Sequence, residues 1–149
     1  QVNVERVASR GELHKLNTKL QGSGAVEQGK ILKTLGAVSS ATGNTQATPV
    51  DHGASSTSGG AGYFHLNTLV LDTATGLIGW VRHSSDDVTY ATIVTFTRAT
   101  STAVVPGGER VETTAAIERY TAFAWEFGTT AAAGGATRSA TVFAGFARA

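Results

Sequence analysis

The side chains able to do chemistry are few and scattered. Four histidines, His14, His52, His65 and His83, stand among 11 acids, and there is no Cys. Disulfides, thiolate metal sites and a Cys nucleophile are therefore excluded. His83 lies three residues before Asp86-Asp87. A strand end and its turn would thus offer one imidazole and two carboxylates, donors suited to a hard or borderline cation. Adjacent acids in a Ser-Ser-Asp-Asp turn more often cap the backbone, and capping is the expectation. Asp51-His52 followed by Ser55 and Ser56 supplies the residue types of a hydrolase triad. Triads are made by geometry rather than nearness in sequence, and a flexible loop holds geometry poorly. Glu118 and Glu126 share a face if their strand is continuous, the raw material of a glycosidase pair, although such acids are more often a solvated edge. Gly22-Ser23-Gly24 and Gly59-Gly60-Ala61-Gly62 lack the Lys-Ser or Lys-Thr of a phosphate loop. No catalytic, cofactor-binding or metal-binding residue is assigned, and no cofactor is expected.

Tyr63, Trp80, Tyr90, Tyr120 and Trp125 are the residues that could stack on a sugar. The competing role is core packing, since each large ring carries roughly 150–250 Å² of buriable surface in typical domains. Trp125 reads as core because Phe123 and Phe127 share its face. Trp80 shares its face with Ile78 and Arg82 and is less committed to an interior.

These residues need elements to position them. A length of 149 residues suits one domain. Only 15% of residues are charged, against about 25% in ordinary soluble domains, and Ala, Gly, Thr and Ser take their place. That composition suits packed strands better than long solvated helices. Ser9-Arg10-Gly11-Glu12 has the spacing of a capping box, and Leu13, Leu16 and Leu20 follow as one helical stripe. Gly22-Ser23-Gly24 ends that helix. A second helix is expected from Val26 to Leu35, with Ile31, Leu32 and Leu35 on one side and Gly29 as a weak point. Residues 1–38 are thus expected to be a helical arm. Residues 39–62, rich in Gly, Ser and Thr, read as a linker or loop.

From residue 63 to 149 the pattern is antiparallel β, a sandwich or barrel-like domain. Tyr63 to Leu71 and Leu77 to His83 read as a hairpin. Val88 to Thr97 alternates cleanly. Val104 to Val111 reads as a second hairpin around Pro106-Gly107. The stretch from Thr121 to Phe127 echoes Thr141 to Phe146, and the two are expected to pair across Gly128 to Ser139. The fold class is therefore mainly β with a short α-helical N-terminal segment.

Charge is uneven although the total is only +1. The first 35 residues hold Arg6, Arg10, Lys15, Lys19, Lys30 and Lys33 against Glu5, Glu12 and Glu27, a net +3. That is a solvated face or an arm that docks on an acidic neighbour. It is too small an excess for nucleic acid, where affinity grows with each neutralised phosphate. No apolar run approaches the ~20 residues of a membrane span.

Two stretches, Leu69 to Trp80 with its Leu71-Asp72-Thr73 turn, and Thr141-Val142-Phe143-Ala144-Gly145, resemble segments of lambda-type phage head decoration proteins. They cover under 20 of the 149 residues. The resemblance implies a β-rich trimer that clamps capsid subunits and does no catalysis.

The expected function is that of a structural subunit of a larger assembly, a phage-like virion decoration, tail or fibre protein. It would act in the virion or extracellularly, as a homo-oligomer beside other structural subunits, with neither nucleic acid nor membrane as partner. The interface candidates are Leu13, Leu16, Leu20, Ile31 and Leu35. The alternative is a secreted carbohydrate-binding or adhesin-like module with a glycan as ligand.

Overall fold

The computed structural model describes residues 2–5, 17–20, 28–39, 45–71, 76–100, 107–128 and 138–149. Strands β1 (Val2–Glu5) and β2 (Asn17–Leu20) pair antiparallel, with Leu20 opposite Val2. Leu13 and Leu16 lie outside the described residues, as does most of the first expected helix.

The rest is two facing antiparallel sheets. One has the order β3-β11-β6-β9, from Gln28–Val38, Ser139–Arg148, Gly60–Val70 and Gly107–Thr113. The other has the order β4-β10-β7-β8, from Thr45–Gln46, Tyr120–Phe127, Leu77–Ser84 and Ala91–Thr95, and β5 (Val50–Asp51) also pairs with β10. The mainly β expectation holds. Among the described residues there is no helix.

The second helix is corrected. Residues 28–38 form β3, an edge strand of the first sheet. Its pairing with β11 slips twice: Val142 opposes Gly36, Ala144 opposes Lys33, and Gly145 opposes Ile31. Each slip adds one residue to β3. Two bulges therefore break the two-residue alternation, and the apolar positions 31, 32 and 35 take on helix-like spacing. The same happens on β6, where Thr141 opposes Thr68 but Val142 opposes Leu66. Leu66 and Leu69 are both buried as a result, with exposed residues between them.

The pairing expectations are corrected too. β6 and β7 stand in different sheets rather than forming a hairpin, and so do β10 and β11. The echo between the last two strands reflects equivalent inner positions. Phe123, Trp125 and Phe127 line one side of the core, while Val142, Ala144 and Phe146 line the other. β9 pairs with β6, and the upstream half of the expected second hairpin lies outside the described residues. The strand read at Val88 begins only at Ala91, because Val88, 80% exposed, belongs to the preceding turn. The segment read as a linker holds β4 and β5 and the start of β6.

The core is an aromatic stack. Phe64 lies 5.1 Å from Phe96 and 5.7 Å from Phe123, and Phe123 lies 5.7 Å from Trp125. Glycines let the sheets close on these rings. A Cβ at Gly62 would meet Val94 Cγ1 at 3.0 Å and Phe96 Cζ at 3.1 Å.

Candidate interaction surface

β3 is 11 residues long, and its far edge has no ladder partner among the described residues. Natural sheets usually keep such edges short or covered, because a row of open N–H and C=O groups recruits another strand. On β3, Leu32 and Val38 turn into the core at 4% and 3% exposure, whereas Ile31 and Leu35 stay 58% and 57% exposed. Ile31 opposes Gly145, which opposes Tyr63 on β6, which opposes Arg110 on β9. This row crosses the outer face of the sheet. The Arg110 guanidinium sits 5.6 Å from the Tyr63 ring centroid and pairs with Glu112. Two of the five expected interface residues, Ile31 and Leu35, thus stand as exposed apolar side chains on an edge with no ladder partner among the described residues.

The outer face of the second sheet is different. On either side of the inward Phe123, Ala122 and Ala124 are fully buried but stand apart from the main apolar cluster. Their register partners on β7, Arg82 and Trp80, flank them. Arg82 Nη2 donates to the Tyr90 carbonyl at 2.8 Å. The Tyr90 hydroxyl donates to Asp87, and burial together with that carboxylate pushes its pKa up. The Arg119 guanidinium lies 4.9 Å from the Tyr120 ring centroid. Of the five aromatics singled out, Trp80, Tyr90 and Tyr120 belong to this side, Tyr63 to the opposite outer face, and Trp125 to the core, as expected of it.

The residues considered for chemistry are otherwise engaged. The Asp86 carboxylate accepts from the N–H groups of Val88 and Thr89, both at 2.9 Å, and from the Ser84 hydroxyl at 2.7 Å. These donors hold its pKa down to about 2, the Thr89 N–H first among them. Asp86 therefore caps its turn, and Asp87 holds the left-handed conformation there with φ 60. No group of three metal-ligating side chains exists among the described residues.

Asp51 is gripped by Arg119, with Nε at 2.8 Å and Nη2 at 2.6 Å, and its pKa falls to about 2, chiefly for that reason. His52 Nε2 shares a 2.7 Å hydrogen bond with Thr121 Oγ1. Asp51, His52 and the loop serines thus do not form a triad, and Thr121 is fully buried, beyond the reach of a substrate. Glu118 and Glu126 lie eight residues apart along β10 and its approach, about 26 Å at extended spacing. A glycosidase pair needs roughly 5–9.5 Å. A pocket of about 200 Å³ opens over Phe64 and Leu66, rimmed by Thr97, Arg98 and Glu109. It is smaller than the roughly 300–1,000 Å³ of ordinary ligand sites. The Glu109 carboxylate there already accepts from the Thr97 N–H at 2.8 Å and its hydroxyl at 2.9 Å.

The His52–Thr121 bond joins residues 69 apart in sequence. No motif pointed to it, and only strand pairing reveals it. Comparison with known protein families, with curated proteins and with solved structures finds no match to this chain.

Proposed function

We propose that this protein is a structural subunit of a larger assembly, of the virion decoration, tail or fibre kind, and that β3 is the strand through which it meets a neighbouring subunit. One observation carries the reading: Ile31 and Leu35 are more than half exposed on a long edge strand that has no outer ladder partner among the described residues. Covering what remains exposed of each would contribute roughly 1 kcal/mol, and strand pairing would satisfy the open backbone groups beside them. Low charge and the two phage-like stretches support the virion setting.

The test is the mass of the full chain in solution by light scattering, compared with an Ile31→Asp/Leu35→Asp variant. The wild type should form a defined oligomer, and the variant should be monomeric, with a thermal transition matching that of the wild type at dissociating dilution. A wild type that stays monomeric at every concentration, or a variant that assembles as well, would defeat the proposal.

A second reading has its own support. Trp80, Tyr90 and Tyr120 with Arg82 and Arg119 form an aromatic and cationic outer face of the sort that stacks on sugar rings, as a carbohydrate-binding or adhesin-like module requires. A clean monomer in the same measurement would favour it.

A further inference from the structure

The start of β10 is held from both sides. Thr121 opposes Val50 of β5 and His83 of β7. β5 is only two residues long, so two rungs of ladder cannot hold it alone, and bonds from residues 52–56 must help. The His52 N–H donates to the Arg119 carbonyl at 2.9 Å, and Ser56 and Ile117 exchange backbone bonds of 2.8 and 2.7 Å. His52 Nε2 meets the buried Thr121 hydroxyl. On the other side, the Glu118 N–H donates to His83 Nδ1 at 3.1 Å.

We propose that His52 and His83 form an acid-released clasp that holds segment 50–56 and the approach to β10 (residues 117–119) onto this end of the second sheet. The hydrogen bond from Glu118 exists only while His83 Nδ1 carries no proton. Protonation places an N–H against an N–H, and the backbone donor of Glu118 loses its acceptor. Two cations from other strands act on His52: Arg148 on β11, which donates to the Ala54 carbonyl at 2.7 Å, and Lys30 on β3. Only Asp51 opposes them, and Asp51 is already bound to Arg119. A charged His52 is therefore disfavoured where it stands. For His83, Glu118 alone favours the charged ring.

The electrostatics agree. Burial, then Arg148 and Lys30, lower the pKa of His52, while burial lowers that of His83 against Glu118. Both rings therefore take up a proton less readily when folded than when free. Their contribution to the closed state is complete above about pH 6.5 and is lost as pH falls from there through the folded values. The carboxylates act in a separate window. Asp51 and Asp86, lowered from 3.8 to about 2, contribute fully above 3.8 and lose that contribution only between there and about 2.

The experiment is backbone hydrogen exchange on the full chain from about pH 7.5 to about pH 5, corrected for intrinsic rates, which spans the histidine window alone. Protection at the Ser56, Ile117 and Glu118 amides should fall roughly tenfold for each unit separating the folded from the free histidine pKa. Protection at core amides of β10 and β11 should fall less. His83→Asn keeps an oxygen able to accept from Glu118 and cannot titrate, and His52→Gln keeps a partner for Thr121. The double variant should hold its protection across the range. Constant protection in the wild type, or an equally steep loss in the folded double variant, overturns the clasp. Should the variant not fold, an NMR titration of the wild-type rings decides: a pKa at or above 6.5 for either histidine overturns it, and depressed values for both uphold it.

Discussion

A Cβ at Gly79 would stand 2.9 Å from Phe123 Cε2 and 3.1 Å from its Cζ. The ring cannot retreat freely, because Phe64 and Trp125 stack on either side of it. Gly79→Ala should therefore cost about 1–3 kcal/mol through overpacking, read as a lower denaturant midpoint with unchanged m. An unaltered midpoint would mean that the aromatic stack yields at no cost. At this scale the sequence was legible where one residue's neighbours along the strand decide its fate. Trp125 between Phe123 and Phe127 is core, and Asp86 in a Ser-Ser-Asp-Asp turn is a cap. It was illegible where fate depends on a distant strand. Nothing near Asp51 announces Arg119, and nothing near His83 announces the backbone of Glu118.

β3 shows why an element can be misread with sound rules. A helix from Val26 to Leu35 would place Ile31, Leu32 and Leu35 on one buried side. The bulged strand instead buries Leu32 and exposes Ile31 and Leu35. Substitution separates the two arrangements. Leu32→Ala should cost about 2–5 kcal/mol as a core truncation. Leu35→Ala in the dissociated protein should stay within about 0.5 kcal/mol of wild type, as surface changes do. Equal losses at both positions in chemical unfolding would return the helix to consideration. The strands of β7, β10 and β11 were readable because their large inward residues keep an even spacing: Leu77 and Val81, then Phe123, Trp125 and Phe127, then Val142 and Phe146. Their partners were not, because alternation reports which face is buried and not which strand lies alongside.

The whole molecule places β3 within the folded unit rather than in a detachable arm. Leu32 and Val38 both belong to the core cluster, beside Val142, Ala144 and Phe146 of β11. Removing residues 1–27 takes away β1 and β2 but no strand of the two facing sheets, and it should leave thermal unfolding of the monomer nearly unchanged. Removing residues 1–38 takes the edge strand away, uncovers one flank of β11 and opens its ladder. The two lost apolar side chains alone represent roughly 3–6 kcal/mol of burial. Total stability of a domain this size is roughly 5–15 kcal/mol, so the longer truncation should melt far earlier or fail to fold. Assembly should divide in the same way. If β3 is the docking strand, the 1–27 deletion still oligomerises, whereas an arm-based assembly would lose its oligomer at that first cut. Equal melting of the two truncations would show that β3 packs on the sheet without supporting it, and the edge-strand account of assembly would fall with it.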